Sequence, residues 1–259
     1  MHLIELADEI SCEPAAEFAL SCSGQGLDDL PIEENLAWKA AQVFAAALSC
    51  ELPPLHVHIE KHIPAGAGLA GGSADAAAVL TLLARECAHK DSLAPLAAGL
   101  GADVPFFLCG SSACLMGGFG DELLSELRPA AGLPVVIAWD PTAPVATAEV
   151  YQAFDSQTLP VDEAGEAALV TALNCADIEQ LTSHLYNNLS AAAFAVSPAA
   201  RRVNELLAGS VLSGSGGASF LLCDSAEDAS AWAARVRAAG LAACVTELAS
   251  QSTDEDRRQ

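Results

Sequence analysis

Basic residues are scarce in this chain. Eleven Lys and Arg stand against 34 Asp and Glu, giving a formal charge of -23, and a surface of that sign repels nucleic acids and anionic membranes alike. Neither is expected as a partner, and any anionic ligand needs local donors and a divalent cation to overcome the field of the whole chain. Paired cysteines are lacking too. The nine Cys are odd in number and scattered, with no C-x-x-C and no His at metal-finger spacing, so they read as reduced thiols of a cytoplasmic protein. No apolar run approaches a membrane span, because Asp75, Arg85 and Asp103 interrupt the richest region. The opening "MHLIELADEISCEP" carries acids where a signal peptide is apolar.

With 259 residues, 52% of them hydrophobic, the chain is long enough for one large domain or two small ones with a sizeable core. "ISCEPAAEFALSCSG" holds two short strand-like runs. "ENLAWKAAQVFAAALSC" is helical, with Leu36, Ala40, Val43, Phe44, Ala47 and Leu48 on one face. "LHVHIEKHI" alternates, Leu55, Val57 and Ile59 pointing one way and His56, His58 and Glu60 the other, as a strand with one wet face does. "ADAAAVLTLLARECA" and "DSLAPLAAGLG" read as helices. A boundary falls near "ELRPAAGLP", where charge, Pro and Gly collect. Beyond it come a buried strand "PVVIAWD", helices in "GEAALVTAL", "DIEQLTSHLYNNL" and "SPAARRVNELL", a glycine hairpin "SGSGG", and a strand–helix–strand unit formed by "SFLLCD", "AEDASAWAARVRAAG" and "LAACVTEL". These make a small α+β sandwich of the C-terminal half.

Between strand and helix, "IPAGAGLAGGSADAAAVL" spells G-x-G-x-x-G at Gly66, Gly68 and Gly71. A dinucleotide fingerprint needs a buried parallel strand before the glycines and a second strand about 20 residues later ending in an acid. The strand here is amphipathic, and a helix stands where the second strand belongs; Asp91 has the offset without the context. No Gly-Lys-Ser/Thr follows, which excludes a Walker loop. Two readings remain. Either the glycines bring backbone N–H groups to an anion at a helix N-terminus capped by Ser73, or they form a tight turn with Ser73 as its N-cap.

The same stretch is similar to the second motif of the GHMP kinases, small-molecule kinases of galactose, homoserine, mevalonate and phosphomevalonate. "LGADVPFFLCG", "GGFGDEL" and "VLSGSGGASFLL" resemble the branch of that superfamily serving the non-mevalonate isoprenoid route, whose acceptor is a cytidine diphosphate-linked methylerythritol. The resemblance spans essentially the whole chain. It implies a two-domain α+β GHMP kinase fold, with a ribosomal S5 domain 2-like N-terminal domain over residues 1–130, a ferredoxin-like α/β sandwich over 131–250, and a tail over 251–259. ATP with Mg²⁺ is the implied cofactor, with no metal ligand assigned to the protein. Gly66, Gly68, Leu69, Gly71, Gly72 and Ser73 match the phosphate-cradling loop, Pro64 its entry, and Asn35 and Lys61 positions around the nucleotide base. Asp103, in an apolar frame where an unpaired carboxylate is costly, matches the acid that takes the acceptor's proton. Ser213, Gly214 and Ser215 match the third motif, and Thr147 and Tyr151 the cytidine pocket.

Each residue also has a plainer reading. Asn35 can start a helix, Lys61 can be solvated on a strand, Asp103 can cap a helix or join a salt bridge, Ser213–Gly216 can be a simple turn, and Tyr151 can be core. Ala70 and Ala74 depart from the family's usual Gly and Ser. The family's P-A-K-[IL]-N strand and G-Y-H segment have no match, and the expectation is that Met1 is an internal methionine of a longer protein. A kinase with another acceptor, such as homoserine, or an inactive nucleotide-binding relative are the alternatives. Oligomeric state is open.

Overall fold

The structure is a computed structural model and describes residues 1–24, 31–155, 163–175 and 177–251; most of the expected 251–259 tail lies outside these. The chain forms two compact units. One comprises Met1, Leu6–Ala65 and Ala70–Glu126; the other comprises His2–Glu5, Gly66–Leu69 and Leu127–Gln259. Among the described residues no helix is long and apolar enough to cross a membrane.

In the first unit β3 (Leu55–Lys61) is the centre of a three-stranded sheet, antiparallel to β1 (Glu9–Pro14) and parallel to β2 (Ala19–Gly24). Its alternation sorts the faces as expected. Val57 and Ile59 are fully buried, against α1 (Leu36–Leu48) and α2 (Gly71–Glu86), and on the opposite face the Ser21 hydroxyl bridges His56 and His58 at 2.7 and 2.8 Å. The stripe that α1 buries is narrower than its sequence suggests. Ala37, Ala40, Ala41 and Phe44 are fully buried while Ala47 is exposed, a spacing of three, four and seven that lines one helix face. Alanines there let α1 and α2 pack closely. The unit is completed by a 3-10 turn (Ile32–Glu34), α3 (Ala94–Leu100), α4 (Val104–Leu108) and a hairpin of β4 (Cys114–Gly117) and β5 (Glu122–Glu126).

In the second unit four strands run β7-β8-β6-β9, where β6 is Pro134–Trp139, β7 Val211–Leu212, β8 Ser219–Leu222 and β9 Ala242–Glu247. The tail's strand–helix–strand unit is split. β8 and β9, joined by α10 (Ala226–Ala238), do not pair, because β6 lies between them, antiparallel to both. That insertion explains why "PVVIAW" is apolar throughout: Val135, Val136, Ile137 and Ala138 are buried in a central strand. Helices α5 (Thr147–Asp155), α6 (Glu163–Cys175), α7 (Ile178–His184), α8 (Ser190–Val196) and α9 (Pro198–Leu206) complete the unit. The helix expected through "DIEQLTSHLYNNL" stops at His184, with Leu185 extended. Asn187 is drawn out of helix by its own side chain, which donates to the carbonyls of Leu212 and Gly214 at 2.9 and 2.7 Å and accepts from the Leu189 amide. All nine cysteines are free thiols.

Candidate active site

Within the second unit, the loop residues Gly66–Leu69 lie against the turn after β7. The Ser213 hydroxyl donates to the Gly68 carbonyl at 2.9 Å, and the Ala218 amide donates to the Ala67 carbonyl at 3.0 Å. Gly68 has φ +74°, and a Cβ on it would stand 2.3 Å from the Ser213 carbonyl oxygen. Only glycine permits both that backbone and that approach. The expected third motif is therefore a backbone-to-backbone partner of the loop, with Asn187 holding its carbonyls from the far side. Thr147, at the start of α5, meets Ser215 hydroxyl to hydroxyl at 2.7 Å. One turn on, Tyr151 is 48% exposed, an aromatic face open to solvent rather than a core side chain.

Within the first unit, α2 begins at Gly71. Ser73 is its third residue and not its cap; Ala70 occupies the N-cap with φ 56° and no side-chain cap bond. The expected capping by Ser73 is thus corrected: a left-handed residue turns the chain into the helix, and the Ser73 and Ala74 amides donate back to the Ala70 carbonyl. Gly72 is exposed, and a Cβ on it would meet nothing within 4 Å. Its flank of the helix N-terminus is open space.

Asp103 sits at the head of α4, half-buried, and its side chain makes no capping hydrogen bond. It occupies the N-cap position, as the plainer reading expects, but its carboxylate is not taken up by a cap bond. Burial pushes its carboxyl above the usual carboxylate range, opposed by the Met1 amine. Gly101, two residues earlier, lies beside the Ser73 hydroxyl, and Gly120, in the turn joining β4 to β5, lies beside the Asp103 carboxylate. The missing side chain at Gly120 thus leaves room beside that carboxylate: a Cβ there would stand 3.9 Å from Asp103 Oδ1.

Lys61 and Asn35, expected beside the nucleotide base, are both engaged inside the unit. Asn35 caps α1, its Oδ1 accepting from the Ala37 amide at 2.8 Å, and its Nδ2 donates to Cys22 Sγ. Lys61 falls on the core face of β3 and is 6% exposed. Its ammonium donates to Asp8 and, at 2.6 Å, to Asp75. The reading of a solvated strand lysine is overturned. Burial alone would lower its pKa, but the two carboxylates outweigh that and hold it above the ordinary lysine range. Asp75 is pushed up to about 6 by burial, against the pull of Lys61 and with a smaller push from Asp8. Asp8, Asp75 and Asn187 are engaged here although no motif assigns them a role. Asp75 carried a signal, being a charge on the stripe with Ala76, Val79, Leu80 and Leu83 that α2 buries.

The family profile of the GHMP kinases N terminal domain matches residues 35–111, the span from Asn35 through the glycine loop and Asp103. A 4-diphosphocytidyl-2-C-methyl-D-erythritol kinase of Mycolicibacterium gilvum (strain PYR-GCK) is 38% identical over 87% of this chain and 73% of its own length. That of Mycobacterium tuberculosis (strain ATCC 25618 / H37Rv) is 37% identical over 93% of this chain and 78% of its own. A crystal structure of 4-(cytidine 5'-diphospho)-2C-methyl-D-erythritol kinase superposes with a TM-score of 0.73 at 32% identity, covering 95% of this chain and 87% of that one. Homoserine kinase from Cytophaga hutchinsonii, at 18% identity and a TM-score of 0.68, shares the fold alone. With a two-unit α+β architecture, a glycine loop ending in a helix start, an uncapped acid in G-A-D-V-P and identity of this extent, the chain belongs to the 4-diphosphocytidyl-2-C-methyl-D-erythritol kinase family of the GHMP kinases.

Proposed function

We propose that this kinase transfers the γ-phosphoryl group of ATP to the 2-hydroxyl of 4-diphosphocytidyl-2-C-methyl-D-erythritol. The observation that carries the chemical role is Asp103, a half-buried carboxylate that makes no cap bond and has Gly120 at its side. The acceptor oxygen forms a bond to γ-phosphorus as the bond to the β-phosphate oxygen breaks, ADP departs, and Asp103 takes the hydroxyl proton. The triphosphate lies on the backbone where the glycine loop runs into the first turn of α2, at the exposed Gly72 and beside the Ser73 hydroxyl, the Ser73 amide being engaged by the Ala70 carbonyl. The cytosine ring stacks on Tyr151, with Thr147 and Ser215 as hydroxyl partners.

Mg²⁺ would enter with the nucleotide and offset charge on the phosphate oxygens. Ser73 is the side-chain oxygen of suitable chemistry in that first turn. The metal-competent group found among the described residues, Glu9, Glu60 and His62, is exposed on the sheet and is given no part. An assay of ATP-dependent phosphorylation of the cytidine diphosphate acceptor tests the reading. Asp103→Asn should lower kcat by roughly 10²–10⁴ while leaving the melting temperature and ATP binding nearly unchanged. Transfer undiminished in Asp103→Asn removes Asp103 as the base, and a parent chain that phosphorylates another alcohol, such as homoserine, but not this acceptor removes the substrate.

A further inference from the structure

Lys61, Asp8 and Asp75 are the most deeply enclosed ion-paired group among the described residues. Their side chains are 6%, 3% and 4% exposed. One ammonium faces two carboxylates, and burying such a set costs desolvation that the mutual attraction only offsets when geometry is good. Stability alone is therefore a weak reason for it. Its connections suggest another. Lys61 ends β3, immediately before the loop. Asp8 Oδ2 accepts from Lys61, while its Oδ1 accepts from the backbone amides of His62 at 2.6 Å and Ile63 at 2.8 Å. Asp75, on the other limb, lies in the second turn of α2, immediately after the loop. The start of α2 is packed onto the same group: a Cβ on Gly71 would stand 2.8 Å from Ile63 Cγ2 and 3.5 Å from Asp8 Oδ2. Gly24 of β2 lies against the Lys61 carbonyl.

We infer that Asp8, Lys61 and Asp75 form a buried clamp that fixes the entry and the exit of the glycine loop, so that Lys61 serves phosphate binding as a positioning residue and not as a ligand of the nucleotide base. The clamp rests on the reading of the loop as a phosphate site. The chain between Pro64 and Ala70 has no strand or helix of its own, so beyond the bonds that Gly68 and Ala67 accept its arrangement depends on how its two ends are held. Withdrawing the ammonium to meet a base would leave two buried carboxylates without their counter-charge.

Binding of inorganic tripolyphosphate and of adenosine, measured separately by calorimetry, distinguishes the roles. Lys61→Met should weaken tripolyphosphate at least tenfold and leave adenosine within twofold. Asp75→Asn, which keeps an oxygen acceptor for the ammonium, should stay within threefold of the parent for both. Loss of adenosine with tripolyphosphate retained makes Lys61 a base ligand and overturns the clamp, as does a folded Lys61→Met that binds both normally. Should Lys61→Met fail to fold, amide exchange in the parent chain decides. Saturating tripolyphosphate should slow exchange at His62, Ile63 and the first turn of α2 together; slowing at α2 alone overturns the clamp. A parent chain that binds neither ATP nor tripolyphosphate instead refutes the phosphate-loop reading itself, and the clamp with it.

Discussion

Ala70 holds φ 56° where a side chain is disfavoured. An L-residue in the left-handed region costs about 1–2 kcal/mol, while replacing Ala by Gly returns roughly 0.4–1 kcal/mol of unfolded-state entropy. Ala70→Gly should therefore be neutral to stabilising by about 1 kcal/mol, visible as a small rise in melting temperature. A fall would show that the turn is held by contacts of the Ala70 methyl. The glycines on either side differ in kind. Gly68→Ala puts a methyl against the Ser213 carbonyl and should lower the melting temperature by several degrees. Gly72→Ala, in an exposed helical position, should raise stability by about 0.5–1 kcal/mol and yet weaken ATP, because the methyl enters the space left for phosphate. Calorimetric melting and ATP titration of the two variants separate the fold's glycine from the ligand's.

The same separation holds for whole elements. In the first unit the clamp joins β3 to α2, and Asp75 makes the junction sensitive to pH. Its carboxyl is raised in the fold to about 6 from 3.8, so its proton stabilises the native state fully below about 4, and that contribution is lost as pH rises through about 6. Around it stand Lys61, which stays charged throughout this range, Asp8, and the Cys22 thiol. Asp75→Asn should remove the slope. Its melting temperature relative to the parent should climb between pH 4 and pH 6 and level off above about 7; a pH-independent difference contradicts a carboxyl raised by burial. In the second unit Asn187 ties the turn after α7 to the hairpin. Asn187→Ala strips a donor from two carbonyls at a cost of about 1–3 kcal/mol, and acceptor KM should rise more than kcat falls, since the hairpin carries Ser215.

Across the molecule, a charge of -23 sets the long-range field. Free ATP approaches a like-charged protein, so added salt should raise its association rate, the opposite of the trend for a basic nucleotide-binding protein. The effect should shrink when Mg²⁺ saturates the nucleotide. Stopped-flow ATP binding from 0.02 to about 0.3 M NaCl, across which the screening length falls to below roughly 10 Å, measures it; a rate that falls with salt would mean that a local basic cluster outweighs the net charge.

Local pattern was enough for much of this chain. Alternation in "LHVHIEK" determined which face of β3 is buried, and the glycine spacing placed the loop before α2. The apolar frame around Asp103 marked a carboxylate needing an explanation. These are properties of contiguous residues, and backbone geometry reads them directly. Other features depend on partners far along the chain. The Lys61 ammonium is held by acids 53 and 14 residues away, so whether it is solvated, bound to a base or clamped is not encoded in "IEKHI". The insertion of β6 between β8 and β9, the need for glycine at position 68, and the break of the helix at Asn187 likewise arise from contacts between distant segments. The sequence by itself determined the elements, the acidity and the motifs. Only the tertiary structure decided which side chains are engaged in holding the loop and which remain open to a ligand, because burial and pairing are properties of the packed chain.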